Sequence, residues 1–199
     1  WDGKLLTTML PPESVQVQTK FDQYQTYLDE DKRLSLAKEF IKAKFERTQE
    51  TLNYYNSRYP EIETDFSKES KKLEYAETIQ DILMIEGRVA RTYWNEFKKL
   101  IPKDFEFTGR HTSQHPRAAV DQINAMLNYG YALLEAEFLR AINSTGLDAH
   151  IGFLHEKNLG KYSLAYDCQE LFRWMIDLAV VELIENKTMK KSDFIRTEN

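Results

Sequence analysis

The chain has 199 residues, of which 42% are hydrophobic and 30% charged, enough for one good-sized core. Seven Gly and five Pro are too few for an all-β chain of many tight turns, and a single cysteine excludes an intrachain disulfide or a zinc ribbon. A net charge of −5 argues against a broadly basic nucleic-acid binder, although a local basic rim around an acidic pocket would suffice for DNA. With no signal peptide and no run of roughly 18 apolar residues, the expectation is a mostly α, cytoplasmic domain with no membrane partner.

Residues 1–14 contain Pro11-Pro12 and no helical period, so they read as an extended lead-in, with residues 15–199 forming one α-helical unit. From residue 16 to about 59, Leu28, Leu34, Leu36, Ala37, Phe40, Ile41, Phe45, Thr48, Leu52 and Tyr55 recur at three and four residues and predict one or two amphipathic helices ending before Pro60. Residues 61–72 read as a charged linker. A helix from about 73 to 100 carries Ile79, Leu83, Glu86, Ala90 and Tyr93 on neighbouring rows and stops before Pro102. After a polar loop at 103–116, a long helix is expected over 117–144, closed by Gly146. Gly152 to Lys161 form a loop, and Ser163 is placed to cap a last helix running to about Lys187. No internal repeat, heptad run or low-complexity tract is present.

The residues that carry chemistry lie late in this order. His155 sits in the loop and is followed on the next helix by Asp167 and Glu170 at i and i+3, about 300° apart on a 3.6-residue helix, so that all three can converge on one divalent cation. Glu86 stands in the apolar run Ile82, Leu83, Ile85, Val89, where an unpaired buried charge would be costly and a shared cation would offset it. The adjoining Gly87, in mid-helix, suggests close approach of a backbone or ligand. Each has a plainer role: Glu86 as partner of Arg88, Arg91 or a lysine, His155 as a hydrogen-bonded surface histidine, Asp167 as a favourable charge in a helix's first turn.

Four motifs in order, Ile85-Glu86-Gly87-Arg88-Val89-Ala90-Arg91-Thr92-Tyr93-Trp94, Ala119 to Tyr131, Gly152-Phe153-Leu154-His155 and Ser163-Leu164-Ala165-Tyr166-Asp167 through Phe172-Arg173, make the chain similar to the CRISPR-associated integrase of the adaptation step. The resemblance covers roughly residues 3–195 and implies the all-α, multi-helix catalytic domain of that family, without the small β-rich domain that precedes it there. It implies a metal site on Glu86, His155 and Glu170, with Asp167 as the adjoining family acid and Tyr166 beside it. Further implications are Mg²⁺ or Mn²⁺ as cofactor, DNA as partner (a donor duplex and the CRISPR repeat), and, for the full-length family, a homodimer with a small ferredoxin-like adaptation partner. The activity implied is metal-dependent phosphoryl transfer on DNA in a prokaryotic cytoplasm, inserting new spacers in antiviral defence. Lys161 and Arg173, then Lys157, Arg88 and Tyr166, are the candidate DNA contacts. The family's dimer contacts lie largely in the β-rich domain, so the expectation for this chain is a monomer or a weakly associated species. Rival readings are a transposon-encoded integrase of the same fold and a non-catalytic helical module that binds DNA or protein.

Overall fold

The computed structural model describes residues 16–63, 65–110, 119–155 and 160–195, and among them every regular element is helical. Seven α-helices follow in order: α1 Gln16–Leu28, α2 Glu30–Asn56, α3 Ser67–Glu74, α4 Ile79–Phe97, α5 Gln122–Thr145, α6 Ser163–Glu170 and α7 Arg173–Glu185. The all-α expectation holds. The lead-in at 1–14 lies outside the described residues, as do Arg117 and Lys157.

Side-chain caps fix where three of these helices begin. Asp29 accepts from the Lys32 N–H at 3.1 Å and starts α2, so the amphipathic stretch expected over 16–59 is two helices broken at that residue. Thr78 and Asp81 form a reciprocal capping box at the head of α4. The helix expected from about 73 therefore begins at 79, and residues 67–74, of which 67–72 were expected in a charged linker and 73–74 at the head of that helix, form α3. That segment is charged almost throughout, and its one buried residue, Leu73, is too thin a signal for a periodicity argument. Asp121 accepts from the Asn124 N–H at 2.7 Å and caps α5, which starts five residues later than expected over 117–144. Gly146, at φ 80°, closes α5 where an L side chain would be strained.

Helix α2 is the axis of the fold. Its buried row Ala37, Ile41, Phe45, Leu52 and Tyr55 packs against α4, and α1, α3, α6 and α7 also contact it. The main core joins that row to Ile82, Ile85, Val89 and Phe97 of α4, Ile123 and Leu127 of α5, and Val180, Val181 and Ile184 of α7. A smaller cluster (Leu139, Ile142, Ala149, Phe153, Leu164, Ala165) seats the 146–155 loop between α5 and α6.

One correction bears directly on the site. The last helix, expected as a single element to about Lys187, breaks at Leu171 and Phe172, where Phe172 leaves helical geometry at φ −127°, ψ 0° and its ring packs on Phe138. The Gln169 side chain is fastened to the Tyr131 carbonyl of α5 at 2.5 Å just before the break. Glu170 thus ends one helix and Arg173 begins the next.

Candidate active site

Five helices, α2, α4, α5, α6 and α7, and the 146–155 loop meet around a cavity of about 270 Å³ whose lining includes Lys44 from α2, Glu86 from α4, Tyr131 from α5, His155 from the loop, Glu170 from α6 and Arg173 from α7. Glu86, His155 and Glu170, far apart in sequence, are therefore brought to one place.

Between the two glutamates stands Lys44. Its ammonium donates to Glu86 Oε1 at 2.5 Å and lies 2.6 Å from Glu170 Oε2, the second approach being off the angle of a hydrogen bond. Glu170 Oε2 is buried against that ammonium, in an ion pair outside ideal hydrogen-bond geometry. The other oxygen of Glu170 receives Arg173 at 2.6 Å. Burial alone would raise the Glu170 carboxyl, but the Lys44 and Arg173 charges overcome it and hold it at about 2. Burial disfavours the Lys44 ammonium too, and the Glu170 and Glu86 carboxylates outweigh that and keep its pKa above the usual lysine value. Glu86 itself is only partly buried, about a fifth exposed. Of its plainer readings, the lysine partner is the one present, because Arg88 is taken by Glu69 of α3 at 3.0 Å.

Asp167 does something other than face the cavity beside Glu170. Fully buried, its Oδ2 accepts from the Phe153 and Leu154 N–H groups at 2.5 and 2.9 Å, and its Oδ1 from the His155 N–H at 3.0 Å. Oδ1 also lies 2.7 Å from His155 Nδ1. A carboxylate can only accept, so Nδ1 carries the proton, and Nε2 is the ring nitrogen with no hydrogen bond among the described residues. The residual 60° of an i, i+3 pair on a helix separates the two acids: Asp167 meets the loop, Glu170 meets Lys44. The loop comes this close because residue 152 is glycine; a Cβ there would stand 2.7 Å from the Ser163 backbone and 2.8 Å from Asp167 Oδ2. Gly87, by contrast, has open space where its Cβ would be, so nothing in the fold presses on it.

Beneath the cavity Asp177 of α7 is buried between two phenols, accepting from Tyr93 at 2.7 Å and, in a very short contact, from Tyr131. Burial pushes its carboxyl up, against the pull of both hydrogen bonds and the nearby guanidinium groups. The Tyr131 ring carries Arg173 at 4.2 Å and Arg110 at 5.4 Å from its centre. Arg110 is further held by Asn124 and Asn128 at 2.8 and 2.6 Å.

The candidate DNA contacts scatter. Arg173 and Arg110 line the cavity, whereas Arg88 does not. Tyr166 sets its ring edge toward His155 at 6.2 Å and its hydroxyl on Glu135. Lys161 is exposed, its carbonyl accepting from His150 Nδ1. Sequence reasoning missed Lys44 and Asp177. The signal for Lys44 was available: it stands three residues after Ile41 and four before Thr48, a lysine on an apolar row.

Among the described residues no three His, Cys, Asp or Glu side chains close on a single point, since Lys44 takes the place between the two glutamates. The donor set still fits a divalent cation. Two carboxylate oxygens face one centre of positive charge, and an imidazole with a fixed tautomer lines the same cavity.

Two glutamates, a lysine and a loop histidine thus line one cavity of an all-helical domain. The profile of the family described as "CRISPR associated protein Cas1" matches residues 1–199, and the chain belongs to that family. It is 35% identical over 97% of its length to the CRISPR-associated endonuclease Cas1 1 of Archaeoglobus fulgidus and 32% identical over 92% to that of Francisella tularensis subsp. novicida. It spans 61% and 57% of those two proteins. A solved casposase bound to integration product superposes on all of it with a TM-score of 0.89 and 53% identity, this chain covering 55% of that one.

Proposed function

We propose that the chain is the helical catalytic domain of a metal-dependent DNA endonuclease and integrase. The observation that carries this is the placement of Glu86 Oε1 and Glu170 Oε2 on either side of one positive charge, with His155 lining the same cavity. Glu86, Glu170 and His155, through Nε2, would hold Mg²⁺ or Mn²⁺. When bound, the cation supplies Lewis-acid stabilisation to the scissile phosphate and to the attacking hydroxyl. The reaction is a transesterification: a donor 3′-hydroxyl attacks a phosphodiester, one P–O bond forms as another breaks, and the proton passes from the entering to the leaving oxygen. One ester is exchanged for another, so no nucleotide cofactor is consumed.

The chain's own groups prepare the rest. Asp167 fixes the His155 ring, Arg173 keeps Glu170 ionised, and Arg110 with Arg173 supplies cationic lining for the strand. Spacer insertion into a CRISPR array, in a prokaryotic cytoplasm and by a homodimer with a ferredoxin-like partner, is the first reading, and what supports it is the chain's likeness to Cas1 endonucleases. Insertion of a transposon end is the second reading. It is favoured by the 53% identity to the casposase, against 35% and 32% for the two endonucleases.

In Mn²⁺, Glu86→Gln, His155→Ala and Glu170→Gln should each lose strand transfer by at least a hundredfold while keeping helical circular dichroism. Full activity in any two of them removes the site. Offering the full-length protein repeat-containing and transposon-end duplexes side by side separates the two substrates.

A further inference from the structure

If the metal reading is right, the protein must first empty the seat that Lys44 occupies. We propose that Lys44 is an internal stand-in cation: it holds Glu86 and Glu170 in register while the site is empty, and divalent-metal binding is an exchange in which its ammonium is expelled into the cavity. This deepens the proposed metal site and rests on it.

The geometry supports exchange over simple addition. Lys44 Nζ is 2.5 and 2.6 Å from the two carboxylate oxygens, whereas Mg²⁺–oxygen bonds are about 2.0–2.1 Å, so each oxygen would close in by only about 0.5 Å. A cation at that point leaves no room for a charged nitrogen at the same point. Glu170 can release Lys44 without being left bare, because Arg173 holds its other oxygen at 2.6 Å. The oxygen it would offer to the metal meets Lys44 in an ion pair outside ideal hydrogen-bond geometry. Lys44 also has somewhere to go, as its side chain already lines the cavity where the strand would lie. An ordinary buried ion pair would show a different balance. It would satisfy both carboxylates by hydrogen bonds, and removing it would leave two acids repelling one another with nothing gained.

The experiment measures Mn²⁺ affinity by titration calorimetry, without DNA, for the native protein, Lys44→Met and Glu86→Gln, and melting temperature with and without Mn²⁺ for each. Lys44→Met should melt lower than the native protein when metal-free, bind Mn²⁺ at least tenfold tighter, and regain more melting temperature on loading. Native binding that is lost in Glu86→Gln but unchanged or weakened in Lys44→Met would overturn the exchange while leaving the metal site standing. Mn²⁺ binding absent from the native protein and from Lys44→Met alike would overturn both. A second measurement needs no variant to fold: amine acylation of the native protein followed by mass spectrometry. Lys44 should be labelled at least tenfold faster in saturating Mn²⁺ than in chelator, and equal labelling in the two states overturns the exchange.

Discussion

Asp167 concentrates more of the site's geometry than any other residue, since it accepts from three consecutive backbone amides and from His155 Nδ1. Asp167→Asn places an amide where four donors converge, so at least one donor must lose its acceptor. Hydrogen bonds to a buried charged group contribute roughly 1.5–3 kcal/mol each, and the variant should lose about 3 kcal/mol of stability by denaturant titration. Mn²⁺ affinity should fall as well, because the His155 tautomer is no longer dictated; unaltered stability would show the carboxylate to be replaceable. Glu170 makes the acid limb predictable. Its carboxyl is lowered from 4.5 in the unfolded chain to about 2 in the fold, so its contribution is complete above about pH 4.5 and is lost as pH falls toward 2. That contribution is on the order of 3 kcal/mol. In metal-free protein, Glu170→Gln should be less stable at pH 7 and should flatten the decline between those pH values. The residues named from sequence were legible because Glu86, His155 and Glu170 break apolar or loop patterns. Their partners were not, since Lys44 is 42 positions from Glu86 and no local rule pairs them.

Among the elements, those with strong periodicity were readable, although the caps at Asp29, Thr78 and Asp121 moved their starts, and those defined by tertiary contacts were not. The buried row of α2, the capping box of α4 and the Gly146 stop of α5 each have a local cause. Helix α3 does not, and neither does the break between α6 and α7. That break depends on Phe138 of α5 receiving Phe172 and on the Tyr131 carbonyl receiving Gln169. Two glycines test how far the elements are fixed by contact. Gly152→Ala would drive a Cβ into the Ser163 backbone of α6, and it should lower the melting temperature and displace His155. Gly87→Ala, on α4 with nothing to meet its Cβ, should stabilise the helix by up to about 1 kcal/mol. Thermal melts of both variants decide the matter, and a stabilising Gly152→Ala would show that the loop is not seated on α6.

For the whole molecule, the net charge of −5 sets DNA binding against the bulk of the surface, so affinity must come from a few local cations. Duplex affinity should therefore fall steeply with salt. Lys161→Gln or Arg110→Gln should each reduce the slope of log K against log salt by about 0.9, the share of one phosphate. A slope indifferent to both would move the DNA face elsewhere. The class of fold could be inferred from composition alone, whereas the convergence of five helices and a loop on one cavity could not, because it depends on how α2 threads between the others.

Helix α1 contributes no residue to that cavity, yet its buried Gln23 donates to the Asp148 and Ile151 carbonyls at 2.9 and 2.8 Å and accepts from the Asp148 N–H at 2.8 Å. Arg33 of α2 adds a fourth tie, to the Phe153 carbonyl at 3.0 Å. The segment that carries His155 is thus strung between Asp167 at one end and a distant glutamine at the other, like a string tuned by two pegs. Hydrogen exchange of the Phe153, Leu154 and His155 amides would then be governed jointly by α6 and α1. Natural variation at Gln23 would surface as altered turnover in a protein whose Glu86, His155 and Glu170 are all intact.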